Sequence, residues 1–142
     1  MAWAIYGIED NYYLPGIPAL IKLLDFPIPP GVLKTWTHLF GLYPAEEALE
    51  EIGKPSLPAL LAAIQASPAS PIAYANAVNA WMVIDGSRGL AALRRAANAA
   101  TDPAVKKRLD AVIQAQTARA CGTGNLAWSV RCRQSAADGV DR

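Results

Sequence analysis

Three eight-residue stretches of this chain overlay position by position: "IPALIKLL" (17–24), "LPALLAAI" (57–64) and "LAALRRAA" (90–97), at offsets of 40 and 33. The segments leading into them recur as well. Leu49 and Ile52 stand before Gly53 as Trp81 and Ile84 stand before Gly86, 32 residues on, with one extra residue in the second loop. "Asp102-Pro103-Ala104-Val105" then echoes "Ser70-Pro71-Ile72-Ala73", again 32 apart, and Tyr6 and Ile8 read as a remnant of the same helix end before the first copy. A unit this short is too thin to bury its apolar face alone, so such units must stack on one another. The spacing therefore predicts paired helices in an α-solenoid.

The local pattern agrees. No segment sustains a period of two, and Ala and Leu dominate, which excludes a β architecture. Apolar residues fall at helical spacing instead. Val32, Leu33, Trp36, Leu39, Phe40 and Tyr43 trace one stripe; Leu57, Leu60, Leu61 and Ile64 a second; Tyr74, Val78, Trp81 and Met82 a third. Leu90, Leu93 and Ala97 follow, then Val105, Leu109, Val112 and Ile113, with Lys106, Lys107 and Arg108 expected to turn outward. Ser70 and Asp102 each precede a proline, an N-cap with proline at the first helical position. Ser87 can cap the helix through Leu90 and Leu93. Gly53 and Gly86 stand where a left-handed residue closes a helix, and Pro44 ends a helix running to Tyr43 before the acidic turn 45–52. In "GKPSLPALLAAI" (53–64) two prolines fall at a helix start, where amides lack intrahelical acceptors and a missing N–H is harmless. Pro18 holds the equivalent place in the first copy.

"EEALEEIGKPSLPALLAAI" (46–64) resembles the helix–turn–helix of HEAT repeats, in particular the short bacterial type seen in phycobilisome-lyase-like proteins. Leu49, Ile52, Gly53, Pro58, Ala59, Leu60 and Ile64 carry the resemblance. Residues 75–93 keep Gly86 but have Ala91 for the proline, and 17–24 match the second helix only. The resemblance covers roughly 5–118 and implies an all-α, short right-handed solenoid of helical hairpins, about six or seven helices in all. Residues 30–52 are longer than one repeat helix and are expected to be irregular or kinked. Residues 119–142 match no repeat and are expected to form a C-terminal cap and tail, partly disordered from Gln134 onward. Arrays of this kind serve mostly as scaffolds, so the resemblance speaks to architecture more than to activity.

The chain's 142 residues, 53% hydrophobic and 18% charged, suit one domain with a real core. No apolar run reaches the roughly 18 residues of a spanning helix, and the start "MAWAIYGIED" lacks the basic region of a secretory signal. The net charge of +1 conceals a division. Residues 1–53 carry two lysines against seven acidic residues, net −5; residues 54–142 carry eleven basic residues against five aspartates, net +6. Such asymmetry orients a partner or favours head-to-tail contact between copies, set against the plain alternative of solvated helix faces. Eight of the eleven aromatics lie in the first 43 residues. Trp3 and Tyr6, with no preceding helix to cover them, suggest a sticky array end, hence a larger parent array or self-association.

Chemistry-bearing constellations are scarce. His38 is the sole histidine and has no companion at metal-ligand or nucleophile–base spacing. Glu46, Glu47, Glu50 and Glu51 make two i,i+4 like-charge pairs, which weaken an isolated helix unless the helix N-terminus or a basic neighbour offsets them. They read as a solvated face or a partner-binding patch. Arg88, Arg94, Arg95, Lys106, Lys107, Arg108 and Arg119 make the later half basic, a ridge that could meet phosphates or an acidic protein. Aromatic interleaving is absent there, so nucleic acid is disfavoured. Cys121 and Cys132 flank "GTGN" (122–125), which reads as a turn and not a phosphate loop. They are either free thiols or a disulfide contributing about 3 kcal/mol in the chain-entropy estimate. A disulfide implies a periplasmic or extracellular location and free thiols a cytoplasmic one.

The function expected on these grounds is a non-enzymatic scaffold or adaptor binding another protein or further copies of itself, with no cofactor, metal or catalytic residue. The second helices of each pair would line the inner surface, with Lys22, Arg94 and Arg95 touching the partner. The acidic patch and the aromatic N-terminus are further candidate surfaces. Two alternatives stand beside it: an accessory or lyase-like protein binding a chromophore or small ligand, and phosphate or nucleic-acid binding through the basic ridge.

Overall fold

In the computed structural model the described residues are Ile5, 13–28, 42–67 and 70–122. The elements in chain order are α1 (Ile17–Lys22), α2 (Pro44–Ile52), α3 (Leu57–Ala66), α4 (Pro71–Ala99) and α5 (Pro103–Gly122), with 3-10 turns at Leu14–Gly16 and Lys54–Ser56. The described part is all-helical, without strands. The stripe from Val32 to Phe40, together with Trp3, Tyr6, His38 and Cys132, lies outside the described residues.

The doubled prolines are absorbed by two successive elements. Pro55 sits inside the 3-10 turn Lys54–Ser56, and Pro58 is the second residue of α3. Pro15 and Pro18 repeat the arrangement ahead of and within α1. In each case the proline occupies a first turn whose amides have no intrahelical acceptor. The caps read from sequence are in place. Ser70 Oγ accepts from the Ala73 N–H at 3.3 Å, and Asp102 Oδ1 accepts from the Ala104 N–H at 2.8 Å.

Gly53 and Gly86 both have positive φ, +74° and +54°, with ψ of −136° and −128°. That is a correction of detail: the pair occupies the mirror image of the extended region and not the left-handed helical well, a conformation open essentially to glycine. At Gly53 it ends α2. At Gly86 it kinks the helical run 71–99 into two halves, 71–85 and 87–99.

Burial repeats in the register of the sequence overlay. Leu20, Leu60 and Leu93 are fully buried at equivalent positions, and Leu24, Ile64 and Ala97 are buried four residues further on. The position four residues before each leucine is a buried small residue: Gly16, Ser56 and Gly89. Larger side chains there would hold the helix start off its neighbour. On α2 the core face is Ala45, Ala48, Leu49 and Ile52, and on α5 it is Leu109 and Val112. α1 packs on α2 and α3, α2 on α4, α3 on α4 and α5, and α4 on α5.

Polar groups inside this core are placed to close helix ends. Asn76 Nδ2 donates to the Leu24 carbonyl at 2.7 Å, satisfying a carbonyl just beyond α1 from 52 residues away. Trp81 Nε1 donates to the Gly89 carbonyl at 3.1 Å across the kink. Arg108 Nη2 donates to the Gln65 carbonyl at 2.7 Å, at the end of α3. That contact overturns the expectation that Arg108 turns outward: it is half-buried, and its guanidinium supplies a donor to a helix end whose last carbonyls lack partners. No helix among the described residues is long and apolar enough to cross a membrane.

Candidate functional site: a groove along the first helices

The earlier helix of each pair, namely α2, the first half of α4, and α5, borders two adjoining concavities. The first, about 190 Å³, is lined by Leu42, Tyr43, Glu46, Glu47, Glu50 and Asn79. The second, about 200 Å³, is lined by Tyr74, Ala75, Val78, Asn79, Val112, Ala115, Gln116 and Arg119. Asn79 belongs to both, so they read as one groove with an acidic end and a largely apolar floor.

Local folding explains the acidic end. Pro44 starts α2 with Tyr43 extended before it, which puts Glu46 and Glu47 in the first turn, where the helix dipole favours negative charge. With Ala45, Ala48, Leu49 and Ile52 committed to the core, Glu46, Glu47 and Glu50 are left half-buried on the groove flank and Glu51 faces solvent. Asn79 Nδ2 donates to Glu46 Oε1 at 2.6 Å, tying α2 to α4.

The electrostatics follow from this placement. Burial pushes the Glu50 carboxyl up to about 7, and the charges of Glu46, Glu47 and Glu51 push in the same direction. Glu46 is also raised, by burial first; the Asn79 hydrogen bond lowers it and Glu47 raises it. No cation among the described residues draws Glu50 back down. Three carboxylates thus crowd the groove end without a basic neighbour for Glu50, an arrangement that costs the free protein stability at neutral pH.

The other residues singled out from the sequence lie elsewhere. Lys22, Arg88, Arg94, Arg95, Lys106 and Lys107 are exposed and line neither concavity. Arg108 is committed to Gln65. Cys121 falls in the last turn of α5, and its partner in the expected disulfide, Cys132, is among the residues not described. Sequence reasoning missed Asn76, Asn79 and Gln116. The available signal was the pair of asparagines three apart in "YANAVNAW" (74–81), polar side chains on an otherwise apolar, alanine-rich helix.

Chemically the groove offers carboxylates, one amide and apolar floor. No group of three or more His, Cys, Asp or Glu able to hold a metal occurs among the described residues. Both concavities fall below the roughly 300–1,000 Å³ of small-molecule sites, which suits a side-chain-by-side-chain contact better than an engulfed ligand. No family model matches the chain, and no curated protein or solved structure matches it either.

Proposed function

We propose that this chain is a short, right-handed, HEAT-like α-solenoid acting as a non-enzymatic scaffold, and that it holds another protein along the groove of its first helices. The observation that carries the reading is the acidic, apolar-floored groove spanning α2, α4 and α5. Support for the repeat architecture comes from the shared burial register of Leu20, Leu60 and Leu93 and from the common backbone of Gly53 and Gly86. Stacked units with few interior polar groups leave the shared groove as the place where a partner is met. The reading moves the contact surface from Lys22, Arg94 and Arg95 to the opposite helices of the pairs.

Site-specific photo-crosslinking in the host cell tests it. A photoreactive residue at Ala115, exposed on the groove wall, should give a discrete protein adduct, and one at Val83, exposed outside it, should not. Adducts absent from Ala115, or formed only from Arg94 and Arg95, would refute the assignment of the groove.

A further inference from the structure

The groove's two ends differ, and the difference specifies an occupant. Its floor is made by Ala75 and Val78 of α4 and Val112 and Ala115 of α5. These are small or short side chains on neighbouring helices, spaced to receive a row of apolar residues. At one end stand Glu46, Glu47 and Glu50 of α2; at the other stands Arg119. Half-buried carboxylates crowded on one helix face are poorly solvated and repel each other, so a cation brought among them gains more than at an exposed carboxylate. Two small residues facing each other, Ala75 and Ala115, let a third helix approach closely.

We infer that the occupant is a basic amphipathic helix of a partner protein, its apolar face on Ala75, Val78, Val112 and Ala115 and its lysines or arginines gathered at the Glu46–Glu50 end. This deepens the scaffold reading and rests on it. Helix-in-groove recognition supplies the apolar anchoring. The glutamates supply orientation and specificity, because charge complementarity discriminates among partners more than it adds raw affinity. Arg119 reinforces the direction by disfavouring cations at its own end.

The probe is a capped eighteen-residue helical peptide of Leu, Ala and Lys with all its lysines in one half, labelled for fluorescence anisotropy and titrated with the full chain. A charge-reversed peptide with Glu for every Lys serves as its control. The lysine peptide should bind with Kd on the order of 10 μM, a tenfold weakening corresponding to about 1.4 kcal/mol. Glu46→Gln with Glu50→Gln should weaken it about tenfold, and Ala75→Arg should abolish it. Val83→Arg should leave it unchanged. Ala75 and Val83 are both exposed, so neither variant disturbs the core, and unchanged circular dichroism confirms folding.

Equal binding of the charge-reversed peptide, or indifference to Ala75→Arg, overturns the inference. So does a groove filled by the chain itself. A photoreactive residue at Ala75 in the isolated protein that links to residues 123–142, or to a second copy, names that occupant instead. Failure here with the Ala115 adduct still formed in cells removes the basic helix and leaves the scaffold; loss of both removes the scaffold.

Discussion

Gly89→Ala probes the packing of the repeat directly. Gly89 has no need of positive φ, unlike Gly53 and Gly86; its requirement is space. A Cβ there would stand 2.9 Å from Trp81 Nε1, 3.2 Å from its Cδ1 and 3.6 Å from Asp85 Cβ. Carbon and nitrogen atoms rest about 3.5 Å apart or more, so the indole must retreat by roughly half an ångström. Trp81 is only 4% exposed, which leaves it little room, and retreat lengthens its 3.1 Å bond to the Gly89 carbonyl. Overpacking costs about 1–3 kcal/mol, and a weakened buried hydrogen bond adds up to about 1 kcal/mol. The gain from alanine in a helix offsets about 1 kcal/mol. The net expectation is a loss of about 1–3 kcal/mol in urea unfolding followed by circular dichroism, read as a lower midpoint at unchanged slope. In a Trp81→Phe background, where the offending atoms are gone, the same substitution should be close to neutral. A neutral or stabilising Gly89→Ala in the native background would refute the steric account, as would an equal cost in both backgrounds.

Three further substitutions have expected outcomes. For Glu50→Gln, the native carboxyl is raised from 4.5 to about 7, so ionisation penalises the folded state by an amount absent below pH 4.5, growing between 4.5 and 7 and complete above; discounted for solvent screening, the variant should gain about 1 kcal/mol at pH 8 and nothing at pH 4, and a gain independent of pH in denaturant titrations would contradict this. Ser56→Ala removes a fully buried hydroxyl that has no hydrogen-bond partner and should raise stability by up to about 1 kcal/mol, with a lowered melting temperature as the refuting result. Asn76→Ala strands the buried Leu24 carbonyl and should cost about 1–3 kcal/mol, with faster amide exchange around α1 in mass-spectrometric hydrogen exchange; unchanged protection there would count against the link.

Much of the helical framework was legible because its signals are local. Ser70, Asp102, Pro58 and Gly53 act within a turn of their own position, and each does what its chemistry predicts. The leucines at 20, 60 and 93 declare the core by spacing alone. The stripe Tyr74–Val78–Trp81–Met82 was only half legible. Val78 and Trp81 are buried, but Ala73, Ala77 and Ala80 form the rest of that core face, and Tyr74 and Met82 sit at its edges. Alanine gives no contrast between inside and outside, so periodicity underweights it. The groove was less legible still. Glu46, Glu47 and Glu50 stood out as a like-charge cluster, yet their companion Asn79 comes from 33 residues away through a helix packing that no local pattern encodes. Arg108 was misjudged for the same reason, since its acceptor is a carbonyl at the far end of another helix.

Amide chemical-shift mapping of the full chain with the lysine-bearing peptide tests most directly whether the first helices hold the partner. The account predicts that the shifts concentrate at Glu46, Glu50, Ala75, Asn79 and Ala115, fade as salt is added, and vanish in Ala75→Arg. Shifts centred instead on Lys22, Arg94 and Arg95 would contradict it and return the contact surface to the second helices.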